Sequence, residues 1–175
     1  MFSLPKKTQD GHYYVKVTEQ KLVQLNNIKI VSSNSSQESV TLTLSDDTQA
    51  VISAIDTCNL EAAKVNQESW FNRQVADKTL EAAYIKSFSD GIMNVTKGKG
   101  YRVYRGKDLT DDVLSEGDVC DVMLEFTGIS FTKKTFSPVW RIIQSRLKVA
   151  PKKKYHEEYL FQDEPVELSD EDLFE

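Results

Sequence analysis

The chain has 175 residues, with 22 Lys and Arg against 27 Asp and Glu, 39% hydrophobic and 10% aromatic residues. That length suits one domain with a tail, and no apolar run nears the roughly 20 residues of a membrane span. The opening Met-Phe-Ser-Leu-Pro-Lys-Lys lacks the apolar stretch of a signal peptide, so an intracellular soluble protein is expected. Cys58 and Cys120 stand too far apart in sequence for metal-type spacing, and both are expected to be reduced and buried.

Residues 12–18 and 28–31 read as strands, being β-branched or aromatic with partial alternation. A polar loop over 32–39 leads to a further strand, Val40–Leu44. From Asp47 the period changes: Val51, Ile52, Ile55, Cys58, Leu60, Ala62 and Ala63 suit a helix of about four turns with Asp46 or Asp47 as N-cap. Leu80, Tyr84 and Phe88 recur at helical spacing and predict a second helix over Asp77–Ser87. Trp70 and Phe71, between the helices, read first as core anchors.

Strands are then predicted at Gly91–Val95, Gly100–Tyr104, Asp118–Phe126 and Val139–Val149, with Lys97–Gly100 as a tight basic hairpin turn. In the third of these, Cys120, Val122, Leu124 and Phe126 should face the core. Thr127-Gly128 then shifts the alternation to the odd positions Ile129 and Phe131, the signature of a bulge. The last strand should carry Ile143, Leu147 and Val149 on one face and Trp140, Ile142, Gln144, Arg146 and Lys148 on the other. Five or more short strands, a bulged bend and a helical insertion predict a mainly β chain: a Greek-key barrel of the OB type over residues 1–150, followed over 151–175 by a tail that runs from basic to acidic and is expected to be disordered in its acidic part. An α+β sandwich is the competing fold.

Two histidines, His12 and His156, give imidazole catalysis little to work with, and neither phosphate-loop nor dinucleotide-binding glycine patterns occur. Asp46-Asp47 and Asp111-Asp112 read as caps and turns rather than metal ligands. No enzyme, cofactor or metal is expected.

The charge pattern is more informative than the net charge of −5. Residues 126–155 hold eight basic side chains and no acid, while residues 156–175 hold nine acids and no Lys or Arg. Such an asymmetry marks polyanion binding. Single-stranded nucleic acid needs cations for its phosphates and exposed rings for its bases, and two segments supply both. Lys97, Lys99, Tyr101, Arg102, Tyr104, Arg105 and Lys107 form the first; Lys133, Lys134, Phe136, Trp140, Arg141, Arg146 and Lys148 form the second. In a regular strand Tyr101 and Val103 would face the core and Arg102 and Tyr104 the outside, so Tyr104, Phe136 and Trp140 are the expected stacking rings. Trp140 could equally cap the barrel. Lys152–Lys154 read as a weak nuclear import signal or as the end of the groove. In the tail, Leu168, Asp170, Glu171, Asp172, Leu173 and Phe174 mix acids with apolar side chains in the manner of a docking segment that could also compete for the basic groove.

Trp70-Phe71, Tyr84, the Leu114–Val122 stretch with its Gly-Asp pair, Gly128-Ile129-Ser130-Phe131 and Trp140–Gln144 together resemble the OB-fold single-stranded DNA-binding proteins of large nucleocytoplasmic DNA viruses. The acidic end near Phe174 is similar to that of podophage replicative single-stranded DNA-binding proteins, although Glu175 follows the Phe here. The resemblance implies sequence-independent protection of single-stranded DNA during viral replication, recombination and repair, in a host-cell viral factory or the nucleus. It also implies homodimers and a tail that recruits polymerase or helicase. A scaffold that recruits partners through its tail, and an RNA-binding OB module, are the alternatives.

Overall fold

The computed structural model describes residues 2–34 and 38–148. In chain order the elements are β1 (Lys6–Lys7), β2 (Tyr13–Asn34), β3 (Ser39–Thr43), α1 (Asp46–Val65), α2 (Gln67–Phe71), α3 (Asp77–Ala83), β4 (Phe88–Ser89), β5 (Ile92–Arg105), β6 (Asp108–Thr110), β7 (Val119–Phe131) and β8 (Phe136–Leu147). The sheet runs β2-β3-β5-β8-β7 and returns from β7 to β2, so its two ends meet and it closes. All neighbours are antiparallel except β5 and β8, which run parallel. That order is the five-stranded Greek key of an OB barrel, as expected.

The predicted alternation holds in β7: Cys120, Val122, Leu124 and Phe126 are buried, then Ile129 and Phe131. The switch falls on a register shift between Phe126 and Gly128. Gly128 has φ 152°, and a Cβ there would collide with the Val15 carbonyl oxygen, so β2 crosses the bulge too closely for any other residue. Strand β2 is one long bent strand rather than two short ones, with breaks between Lys16 and Lys21 and between Leu25 and Ile28. At the second break Asn27 takes φ 57°.

Further expectations need correction. Lys97–Gly100 is not a hairpin turn. The chain continues straight through it as β5, with a bulge that sets Lys97 opposite Ile142 and Arg102 opposite Gln144. Gly100, at φ 78°, supplies the left-handed residue of that bulge. In β8 a second bulge falls at Ile143, because Leu124 pairs with Ile142 but Met123 with Gln144. It reverses the phase, so Trp140 and Ile142 face the core as Ser145 and Leu147 do. Finally, Cys58 is exposed on α1, and only Cys120 is buried.

The helical insertion sits between β3 and β5. Ile52, Ile55, Asp56, Asn59 and Ala63 form the buried face of α1 at helical spacing, with Ser45 at the N-cap position and Asp46 and Asp47 in the first turn, where carboxylates favour the helix dipole. Helix α3 stops at Ala83 rather than reaching Ser87, because Tyr84 turns extended and joins the barrel. Its ring lies 5.1 Å from that of Phe136, and the Ile85 N–H donates to the Phe136 carbonyl at 2.9 Å. Trp70 and Phe71 complete the attachment by edge contacts to Phe131, each at 5.6 Å between centroids. They act as core anchors, as their sequence context suggested.

Candidate nucleic-acid interface

The parallel β5–β8 seam brings the two basic segments side by side. Register sets Thr96 beside Arg141, Arg102 beside Gln144 and Tyr104 beside Arg146. On the far side of β8, Gln144 neighbours Met123, and Met123 neighbours Gln24 of β2. These outward side chains line a cleft of about 230 Å³ whose walls include Gln24, Tyr104, Met123, Gln144 and Arg146. No sequence pattern pointed to Gln24 or Met123, which join the surface only through register across three strands, whereas Gln144 already shared a predicted strand face with Arg146 and Lys148.

The cations divide into two groups. Arg105 is held by Asp112 at 2.7 Å, and the guanidinium keeps the Asp112 carboxyl below its usual range. Arg146 and Lys148 both reach Asp121, at 2.5 and 2.8 Å. Burial opposes the charge of Asp121. The hydrogen bonds from Lys148, Arg146 and the Asn27 N–H outweigh that cost and leave its pKa lowered. Asp121 thus pins the β2 bulge at Asn27 and occupies two of the predicted phosphate ligands. The signal in sequence was one of two acids near the start of a predicted strand, Asp118 and Asp121, with nothing to mark the partners of Asp121 25 and 27 positions away. Among the described residues, Lys97, Lys99, Arg102, Lys107, Lys133, Lys134 and Arg141 form no ion pair. All but Lys97 are exposed. Lys97 is half-buried and lies 5.8 Å from the centroid of the Tyr101 ring.

The predicted rings fare differently. Phe136 is 2% exposed and Trp140 is 4% exposed, so neither presents a face to a base. Phe136 stacks parallel to Phe131. Trp140 packs on Phe126, and its Nε1–H donates to Ser87 Oγ at 2.9 Å. Ser87 in turn donates to Asp56, which also accepts from the Tyr84 hydroxyl at 2.8 Å. A buried tryptophan needs a partner for its N–H, and here that partner belongs to the network tying α1 to the barrel. Tyr101 packs against the core and gives its hydroxyl to Ser145 Oγ at 2.9 Å; burial pushes its pKa up to about 12. Tyr104 is left as the half-exposed ring of the seam, beside exposed Arg102 and Arg146.

Lys133 and Lys134 stand apart from this surface. Eight steps of extended strand separate Phe136 from Gln144, about 26 Å, so the loop lies at the other end of the barrel wall. The loop is a tight turn in which Thr132 Oγ1 accepts the N–H groups of Lys134 and Thr135, leaving both lysines exposed. Arg141 lies between the two positions. Lys152–Lys154 and the predicted docking residues Leu168, Asp170, Glu171, Asp172, Leu173 and Phe174 lie outside the described residues.

Burial pushes the Cys120 thiol up to about 12, which leaves it unreactive at neutral pH. Among the described residues no group of three or more His, Cys, Asp or Glu side chains could hold a metal ion. None of their helices is long and apolar enough to cross a membrane.

Among solved structures, the chain is similar to the single-stranded DNA-binding protein from bacteriophage Enc34 in complex with ssDNA. The two share 14% sequence identity over 85% of this chain and 96% of that one, with a TM-score of 0.48. It is similar also to a C-terminal truncation of that phage protein, at 14% identity, 85% and 94% coverage and a TM-score of 0.48. A search of the curated proteins finds no match. A family model matches residues 26–163, well over half of the chain, from the Asn27 bulge through the helical insertion and the seam to beyond β8, and the chain therefore belongs to DUF5871, a family of unknown function.

Proposed function

We propose that the protein binds single-stranded DNA without sequence preference and without catalysis, along the wall formed by β5 and β8. The observation that carries this reading is the set of exposed cations with no acidic partner on an OB barrel, Lys99, Arg102 and Arg141 near the half-exposed Tyr104 and the pair Lys133 and Lys134 at the loop end of the same wall. Phosphates neutralised by unpaired cations release counterions, whereas cations already paired to carboxylates release few. Lys97, Lys107 and Arg146 flank the same path. Residues 1–150 serve as the binding domain, and residues 151–175 recruit replication proteins such as a polymerase or helicase through the acids and apolar side chains around Leu168–Phe174. The role is protection of unwound DNA in viral replication, recombination and repair.

Titration of a labelled oligo-dT, followed by fluorescence anisotropy at two salt concentrations, tests the reading. Tight binding that weakens steeply with salt and is much weaker for duplex DNA supports it. Absence of binding at low salt, or equal binding of duplex, rejects it. An oligo-rU titrated in parallel separates DNA from RNA, because a contact to the 2′-hydroxyl distinguishes them.

A further inference from the structure

A second cavity lies at the loop end of the barrel, where the helical insertion meets the β7–β8 turn. It encloses about 190 Å³ and is lined by Tyr13, Phe71, Arg73 and the Thr132–Lys134 turn among others. Its inner wall is aromatic: Phe71 meets Phe131 and Phe136 edge-on at 5.6 Å, and Trp70 closes the side. Its rim is cationic, with Arg73, Lys133 and Lys134 all exposed and none in an ion pair among the described residues. No lining side chain is acidic. Tyr13 is 51% exposed on the opposite lip, and its hydroxyl has no hydrogen-bond partner among the described residues.

A ring-lined cavity with a purely cationic rim suits a flat apolar group that carries negative charge beside it. The volume is well below the roughly 300–1,000 Å³ that encloses a drug-sized ligand, so it has room for one ring system and not for a whole nucleotide. We propose that this cavity takes a single unstacked base of the bound strand, between Tyr13 and Phe71, while the flanking phosphates sit on Arg73, Lys133 and Lys134. The inference rests on the single-stranded DNA reading and assigns the helical insertion a part in it. The loop lysines then serve as the clamp around one base, and the seam, whose Arg102–Gln144 pair lies about 26 Å further along β8, tracks the backbone.

The test compares oligo-dT with an abasic oligonucleotide of equal length, which keeps the phosphates and removes the bases. The wild-type chain should prefer oligo-dT on the order of tenfold, since stacking of one base on aromatic side chains is worth that much. Tyr13→Ala and Phe71→Leu should each shrink the preference several-fold and leave abasic binding unchanged. Arg102→Ala, on the seam, should weaken both ligands alike. In a Trp140→Phe background, where Trp70 is the one remaining tryptophan, oligo-dT and not the abasic strand should change the emission. If the pocket variants leave the preference intact while Tyr104→Ala removes it, the base sits on the seam and the pocket is overturned, with the DNA reading unharmed. If the wild-type chain binds neither oligonucleotide, both fall together.

Discussion

Asp56 and Asp121 are the two acids of the described residues that the fold buries, and they are used in opposite ways. Asp56 accepts from the Tyr84 hydroxyl and from the hydroxyl and N–H of Ser87, all uncharged donors, and through Ser87 it reaches Trp140. It fastens the helical insertion to the barrel. Asp121 accepts from two half-exposed cations and one backbone N–H, on the wall where a strand of nucleic acid would lie. The first carboxylate organises structure. In the proposed binding mode the second limits how many cations the surface offers to phosphate, so two buried acids of similar exposure differ in whether their loss should touch stability alone or binding as well.

The largest expected effect tests the structural side. Asp56→Ala leaves a tyrosine and a serine without their acceptor and should lower stability by about 3 kcal/mol, read as a fall in denaturation midpoint. Next, Arg102→Ala with Arg141→Ala removes two unpaired cations. Affinity for oligo-dT should drop by about tenfold or more, and the slope of log affinity against log salt should flatten by about 1.4, while thermal stability holds. An unchanged slope would take both residues off the path.

Asp121→Asn separates the two roles most sharply. Stability should fall by about 1–2 kcal/mol, a figure held down because Arg146 and Lys148 are half-exposed and screened. Oligo-dT affinity should nevertheless rise, since two cations are released to the surface. A parallel fall in affinity would mean that Asp121 positions those cations rather than competing for them. The same carboxylate has a pH signature: its folded pKa lies below its unfolded value near 4. Its contribution is therefore complete above about pH 4 and lost as pH falls through the lower folded value. Asp121→Asn should flatten that part of the acid-stability curve. The smallest effect on binding is expected of Trp140→Phe, which deletes one hydrogen bond to Ser87 and part of a buried ring and should cost about 1–2 kcal/mol of stability with oligo-dT affinity unaltered.

Much of the barrel was legible because strand alternation is a local property. Val119–Phe131 shows its core face, its bulge and the switch of parity in consecutive letters, and Gly128 marks the place where the backbone of β2 crosses. In β8 the same method failed at Ile142-Ile143, where two adjacent isoleucines fit either phase and the bulge alone chooses. Lys97–Gly100 failed similarly: glycines and lysines read as a turn, but pairing with β8 carries the strand through. The candidate site was half legible. Its cations were visible as charge blocks, yet Phe136 and Trp140 were assigned to it by composition and went instead to the core, because large rings repay burial and the Trp140 N–H found Ser87.

The sequence by itself determined the β-rich class, the bulge in β7, the helical character of the insertion and the concentration of positive charge in two segments, since each rests on near neighbours in the chain. Tertiary structure decided which of those charges remain free and which rings remain exposed. Arg146 and Lys148 meet Asp121 only across paired strands, Arg102 meets Gln144 only because β5 and β8 run parallel, and Tyr13 joins Phe71 and Lys134 only where the insertion folds back on the barrel. Availability for binding is what is left after such pairings are made, and register between distant segments is written in no local period.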